Sequence, residues 1–288
     1  VRGASKVLSS STTAAEDNRS DFWKTLDSDG FTLGYNDPTN RNGDAFVAWN
    51  WEANGSGVSN TVGTIPSTVS ANTTAGFSVV SYTGNATAGA TVGHGLSSAP
   101  KFLVTKSRTT GTYDWVCQHT SLGGTKRIWL NLTSAANTSS GPWNNTDASA
   151  SVVTLGSFAE TNANGDDFIM YCFAEIEGYS SFGSYTGNGS TDGPFVYTGF
   201  RPAWVMVKRS DSSGGWCIHD DKRNPYNPEE LLLRADTASA ETTGGNTQND
   251  FLSNGFKMRT INTDMNASGG TFIYMAFAEN PFKNALAR

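Results

Sequence analysis

One block of this sequence occurs twice, and the repetition limits the possible folds more than any other feature. Ser81-Tyr-Thr-Gly-Asn85 is followed by Pro100-Lys-Phe-Leu-Val-Thr-Lys106, and Ser184-Tyr-Thr-Gly-Asn188 is followed by Pro202-Ala-Trp-Val-Met-Val-Lys208. The first motif recurs at an offset of 103 residues and the second at 102. Two matches at nearly one spacing mark duplication of a whole folding unit. Each copy must then bury its own apolar face or share it with a neighbour.

Within each copy the apolar residues alternate. Asp166-Asp-Phe-Ile-Met-Tyr-Cys-Phe173 opens after Gly165, and Gly269-Gly-Thr-Phe-Ile-Tyr-Met-Ala-Phe277 follows the same pattern. A third match, Asp44-Ala-Phe-Val-Ala-Trp-Asn-Trp51, opens after Gly43. Val47, Ile169 and Ile273 coincide, as do Trp49, Tyr171 and Met275, and then Trp51, Phe173 and Phe277. Period two with aromatic and β-branched residues predicts a strand. The intervening Phe168, Met170 and Cys172 are apolar too, which predicts burial on both faces, at the centre of each core. Upstream, Asp29-Gly-Phe-Thr-Leu-Gly34 lines up with Ser151-Val-Val-Thr-Leu-Gly156 and Asn254-Gly-Phe-Lys-Met-Arg259. Shorter strands are predicted at Phe77-Ser-Val-Val-Ser-Tyr82, Lys101-Phe-Leu-Val-Thr-Lys106, Trp115-Val-Cys-Gln-His119 and Arg127-Ile-Trp-Leu-Asn131. Seven or eight short strands in roughly 100 residues is the arithmetic of an antiparallel sandwich.

The predicted architecture is therefore all-β: tandem antiparallel β-sandwich repeats of jelly-roll or concanavalin-like type, the first incomplete. Residues 1–53 read as the C-terminal half of a first repeat, 54–76 as a Ser/Thr/Gly-rich linker, 77–178 as a second repeat and 179–288 as a third. The incomplete copy implies a longer product that carries the missing strands, or strands borrowed from a neighbour; the longer product is preferred. The 54–76 stretch has the composition of a linker or an extended edge strand and is read as a spacer. In the third repeat, Asn224-Pro-Tyr-Asn-Pro-Glu-Glu-Leu-Leu-Leu233 predicts a short helix from Pro228. The stretch from Ala278 closes that repeat, and the tail to Arg288 is short.

Composition narrows the function. Charged residues are 16% of the chain, so its surface must be built largely from Ser, Thr, Asn and Gly. A net charge of −6 and a pI near 5.1 remove the attraction that drives nucleic-acid binding. No apolar run is long enough for membrane insertion. Three cysteines, Cys117, Cys172 and Cys217, are an odd count without metal-ligand spacing, which predicts buried thiols and folding in a reducing compartment. Cys117 and Cys217 fall near equivalent places in their repeats.

Candidate chemistry is sparse. His119 and His219 occupy nearly the same place in two copies, which assigns them to the scaffold; His94 has no counterpart in the third repeat. Glu175 and Glu279 are equivalent to each other, so neither forms the paired carboxylates of a glycosidase within one unit. Asp27 and Asp29 resemble the start of a calcium loop whose later ligands are missing, since Phe31 and Leu33 follow. Asp166 and Asp167 read as a solvated turn beside Gly165. Trp143, Tyr113, Tyr226 and Trp216 lie in or beside loops, where an aromatic ring could stack on a sugar; a tryptophan in a sandwich is more often core. No catalytic residue, metal ligand or cofactor is predicted, and no ligand-binding residue can be named.

Ser-Tyr-Thr-Gly-Asn, the stretch Gly-His-Gly-Leu followed by Ala-Pro-Lys, Gly193-Pro-Phe-Val-Tyr-Thr-Gly-Phe-Arg-Pro-Ala-Trp-Val-Met-Val-Lys-Arg209 and Ala-Phe-Ala-Glu-Asn-Pro-Phe resemble the repeats of a structural protein of marine tailed phages, of the kind that infect cyanobacteria and other ocean bacteria. The resemblance covers nearly the whole chain, and 195–209 is its most specific part. It implies concanavalin-like lectin character and a virion setting, with synthesis in the host cytoplasm, and it assigns no residue role. The expected function is a non-enzymatic virion surface protein, a tail fibre or appendage that attaches to host-surface glycans. The alternatives are a capsid decoration or head-fibre protein, and a polysaccharide depolymerase. Expected partners are other virion proteins, host glycans and further copies of the chain, three by analogy with fibres, although no heptad specifies that number.

Overall fold

The computed structural model describes residues 1–279, and their regular structure is almost entirely antiparallel β. The expected tail from residue 280 to Arg288 lies outside the described residues. Residues 54–174 form unit 2 and residues 180–279 unit 3; residues 1–53, here called unit 1, run along both.

In unit 2 an eight-stranded sheet runs, in spatial order, Asn137–Thr138, Lys126–Trp129, Val116–His119, Phe102–Ser107, Asp167–Phe173, Phe77–Thr83, Ser67–Asn72 and Val58–Asn60. A two-stranded sheet, Ala90–Gly93 with Val152–Leu155, covers one of its faces. Unit 3 repeats the same central order with Leu233–Arg234, Trp216–Asp220, Trp204–Arg209, Thr271–Phe277 and Ser180–Thr186, covered by Phe195–Tyr197, Gly255–Met258 and Asn249–Leu252. Asp167–Phe173 and Thr271–Phe277 are the central strands, hydrogen-bonded on both sides. Their even residues Phe168, Met170 and Cys172 face the small sheet, and Phe173 faces away from it, so the strand is buried on both sides. Gly43, Gly165 and Gly269 precede the three matching stretches with φ of 87°, 80° and 73°. That left-handed turn strongly favours glycine.

The geometry explains the motif that repeats. Tyr82 and Tyr185 each donate a 2.6 Å hydrogen bond, to the carbonyls of Thr161 and Met265, in the short helical turns Ala159–Asn162 and Thr263–Asn266. A Cβ on Gly84 or Gly187 would collide with the carbonyl of Ala163 or Ala267. The amides of Asn85 and Asn188 donate to the side-chain oxygens of Asn162 and Asn266, both fully buried. Ser-Tyr-Thr-Gly-Asn is therefore a clamp that fastens the first half of a unit onto its second.

Unit 1 matches second halves position for position. Lys6–Val7 pairs with Asp17–Asn18 in the register that joins Lys126–Trp129 to Asn137–Thr138. Phe31–Leu33 and the helical turn Asp37–Asn40 occupy the places of Val152–Leu155 and Ala159–Asn162. Residues 44–51, expected as a central strand, belong to no sheet. A strand is defined by ladder partners, and those of the two matching strands all lie in the first half of a unit.

Three further expectations are corrected. The 54–76 stretch is no linker: Val58–Asn60 and Ser67–Asn72 extend the large sheet by pairing outside Phe77–Thr83, with Val69 opposite Val80. No helix starts at Pro228, because the Asn227 side chain bonds both backbone groups of Phe251 and ties this stretch to a strand. His119 and His219 are not equivalent. Cross-strand register sets His119 opposite Phe102 and Asp220 opposite the matching Trp204, so the histidines differ by one position. One residue of slip reverses the face, which is why Cys117 lies in the core between units while Cys217 lies inside unit 3.

That shared core organises the molecule. The outer faces of the two large sheets pack on each other through Phe77, Phe102, Val104, Trp204, Met206 and Met275, and unit 1 adds Leu8, Trp49 and Trp51. The matched residues Trp51, Phe173 and Phe277 meet there, with ring centroids 6.0, 5.5 and 5.9 Å apart. Edge-on aromatic contacts of this kind add about 1 kcal/mol each beyond area burial.

Candidate functional site

The residues with reactive side chains are mostly committed to the scaffold. His119 Nε2 lies 3.0 Å from the Tyr274 carbonyl, His219 Nε2 2.7 Å from that of Thr247, and His94 Nε2 3.1 Å from that of Ser149. Burial pushes His119 and His219 down to about 4 and lowers His94, so all three rings stay neutral near pH 7. The three cysteines are buried thiols, raised by burial, Cys172 and Cys217 to about 12. A thiol held so high is a poor nucleophile.

The acidic candidates are also occupied. Glu175 accepts from the Phe182 amide, and Glu279 pairs with Lys222 at 2.8 Å. Asp27 accepts from Thr25 and Thr32 within a hairpin; Asp166 accepts from Ser107 and Thr110, and Asp167 from Thr83. Among the described residues no group of three His, Cys, Asp or Glu could hold a metal ion. Trp143 and Trp216 are core residues and Tyr113 is half-buried, whereas Tyr226 is 80% exposed.

Unit 3 also exposes aromatic rings on its small sheet. In the small sheet of unit 3, Val196 points inward while Phe195 and Tyr197 stand outward, 45% and 66% exposed. Phe195 lies opposite Lys257, which lies opposite Asp250 on the next strand. Lys257 holds Asp192 at 2.8 Å. Beside this row runs a polar groove of about 450 Å³, lined by Thr191, Asp192, Pro228, Gln248, Asp250 and Arg259. Tyr226, also exposed, precedes the lining residue Pro228 by two positions in the chain. Alternation along Phe195-Val-Tyr was legible in the sequence, but the choice of outward face was not.

Glu229 and Asn249, between the groove residues, turn inward. They exchange backbone hydrogen bonds of 2.7 and 3.0 Å, and both side chains are buried without a hydrogen-bond partner. Burial, then the charge of Asp221, pushes Glu229 up to about 8, so its carboxyl is protonated at neutral pH. Sequence reasoning missed this residue; an acid in a Pro-Glu-Glu-Leu turn carries no sign of burial.

Lys106 and Lys208, each next to last in its strand, are fully buried. Lys106 Nζ donates to the carbonyls of Thr13, Ser107 and Thr110, and Lys208 Nζ to those of Thr133, Ser134 and Arg209. Burial lowers each to about 8. Their role is to grip the preceding unit.

A family model described as a domain of unknown function (DUF7483) matches residues 1–281, and the chain belongs to that family. No curated protein and no solved structure matches it.

Proposed function

We propose that this chain is a non-enzymatic surface protein of a phage virion, a tail fibre or appendage, and that unit 3 attaches it to host-surface glycans. The observation that carries the glycan reading is the exposed pair Phe195 and Tyr197 on one outer strand, next to a trough of Asp192, Gln248, Asp250 and Arg259, with exposed Tyr226 two positions before its lining residue Pro228. A sugar ring offers an apolar face to an aromatic side chain and hydroxyls to amides and carboxylates, so this combination suits it. The virion setting rests on the resemblance of the repeats to those of a marine phage structural protein.

The test is a glycan array, followed by titration with the host surface polysaccharide. Binding that disappears in Tyr197→Ala and Tyr226→Ala, at unchanged melting temperature, supports the reading. Absence of binding to host polysaccharide rejects it, and product release from that polysaccharide would favour the depolymerase. Cryo-electron microscopy of particles decides between tail and capsid.

A further inference from the structure

The contact between consecutive units is made twice with the same atoms. Lys208 Nζ takes the Thr133 carbonyl at 3.2 Å, Trp216 Nε1 takes that of Trp129 at 2.8 Å, and the Ala136 amide donates to the Ser210 carbonyl at 2.9 Å. One unit earlier, Lys106 Nζ takes Thr13 at 2.9 Å, Trp115 Nε1 takes Ser9 at 3.0 Å, and Glu16 donates to Arg108 at 2.9 Å. Every donated segment residue is displaced by 120 positions and every receiver by 101 or 102. Unit 1 thus docks on unit 2 as unit 2 docks on unit 3.

The next segment in this series, around residues 236–241, is aligned through Asp236, whose carboxylate receives the Trp216 amide as Asn131 receives that of Trp115. Ala238 and Ser239 stand where Thr133 and Ser134 do and are exposed. In unit 1, groups that face the clamp elsewhere are bare. Phe46 is 50% exposed, while its counterparts Phe168 and Phe272 are 0% exposed. Asn40 bonds Gly34 as Asn162 bonds Gly156, yet it is exposed where Asn162 and Asn266 are buried. A cavity of about 420 Å³ adjoins Trp49, Trp51, Trp115, Trp204 and Met206 at the junction.

We propose that residues 44–51 and the exposed side of unit 1 are a docking surface for one occupant: a first-half unit of this same repeat, continuous in the polypeptide with Lys6. Its strands pair with both edges of 44–51, its Ser-Tyr-Thr-Gly-Asn clamp takes Asn40, and its lysine and tryptophan receive residues 236–241. Three units then close head to tail around Trp51, Phe173 and Phe277. Covalent continuity is chosen over a second chain because Lys6–Val7 holds the register of Lys126–Trp129, the strand in which the first half of unit 2 ends. This inference is independent of the glycan reading.

The experiment grafts a copy of residues 77–125 ahead of Lys6 in the full chain and follows amide exchange by mass spectrometry. Residues 44–51 should exchange freely in the chain alone and at least about 100-fold more slowly in the graft, and mutating the grafted lysine to Met should release 236–241. A folded graft with unchanged exchange at 44–51 overturns the proposal. So does a chain that is dimeric by light scattering and already protected there, since a second copy would then be the occupant. If the graft does not fold, a peptide of residues 101–109 added to the full chain must slow exchange at 44–51; failure to do so also overturns it.

Discussion

Units 2 and 3 share one scaffold and differ at their rims. Both have the same central strand order, the same tyrosine clamp on a helical turn, and the same buried lysine that grips the preceding unit. Unit 2 protects its sheet edge with Val58–Asn60 and Ser67–Asn72, whereas in unit 3 Ser180–Thr186 is the last strand among the described residues. Unit 3 instead carries a third strand in its small sheet, the 220–234 insertion and three exposed rings. Duplication here preserved whatever faces another part of the chain and left the solvent face free to diverge. The outer face of one unit can then change without touching the junction.

The comparison can be broken most forcefully in the cores. Phe168→Ala and Phe272→Ala should each lower stability by about 3–5 kcal/mol, the range for emptying a buried phenylalanine site, while Phe46→Ala should cost under about 1 kcal/mol. Denaturant titration measures all three, and a large loss at Phe46 would contradict its exposure.

The second prediction touches unit 3 alone. The carboxyl of Glu229 titrates near 8 in the folded chain against an ordinary value of 4.5, so the folded state holds its proton while the unfolded state loses it. Stability should therefore fall as pH rises from 4.5 to 8. Glu229→Gln should be more stable than the parent by about 3 kcal/mol at pH 7 and equal to it at pH 4. Thermal unfolding across that range checks the sign.

The lysines sharpen the likeness between units. Lys106→Met and Lys208→Met each remove hydrogen bonds from a charged donor to three carbonyls and should cost about 2 kcal/mol at pH 7. Because burial lowers each lysine to about 8 while the unfolded chain stays near 10.5, the parent gains stability between those values. The gap to either variant should widen on going from pH 7 to pH 10, equally for both sites. The smallest stability effect belongs to the rim: Tyr197→Ala should change unfolding by less than about 0.5 kcal/mol and still weaken glycan binding.

Local pattern made much of this legible. The repeat, the two-faced central strand and the turn glycines could be read directly, since each depends on residues a few positions apart. What the sequence hid was non-local. Residues 44–51 have the composition of a central strand, but a ladder needs neighbours, and composition does not say whether they are there. Ser67–Asn72 looked like a spacer because its partner Phe77–Thr83 supplies most of the apolar surface. His119 and His219 seemed matched because a one-residue shift hardly changes an alignment and yet reverses a strand face. The outward rings of unit 3 were partly visible: Tyr226 could be named from its Asn-Pro setting, whereas Phe195 and Tyr197 sat in the motif most easily taken for core.

The triangle of Trp51, Phe173 and Phe277 joins three segments of one polypeptide. Were those rings on separate chains, dilution would pull them apart; tethered, they meet at an effective concentration on the order of millimolar whatever the amount of protein present. The junction should thus form as a first-order event, as complete in a single molecule as in a crowded one.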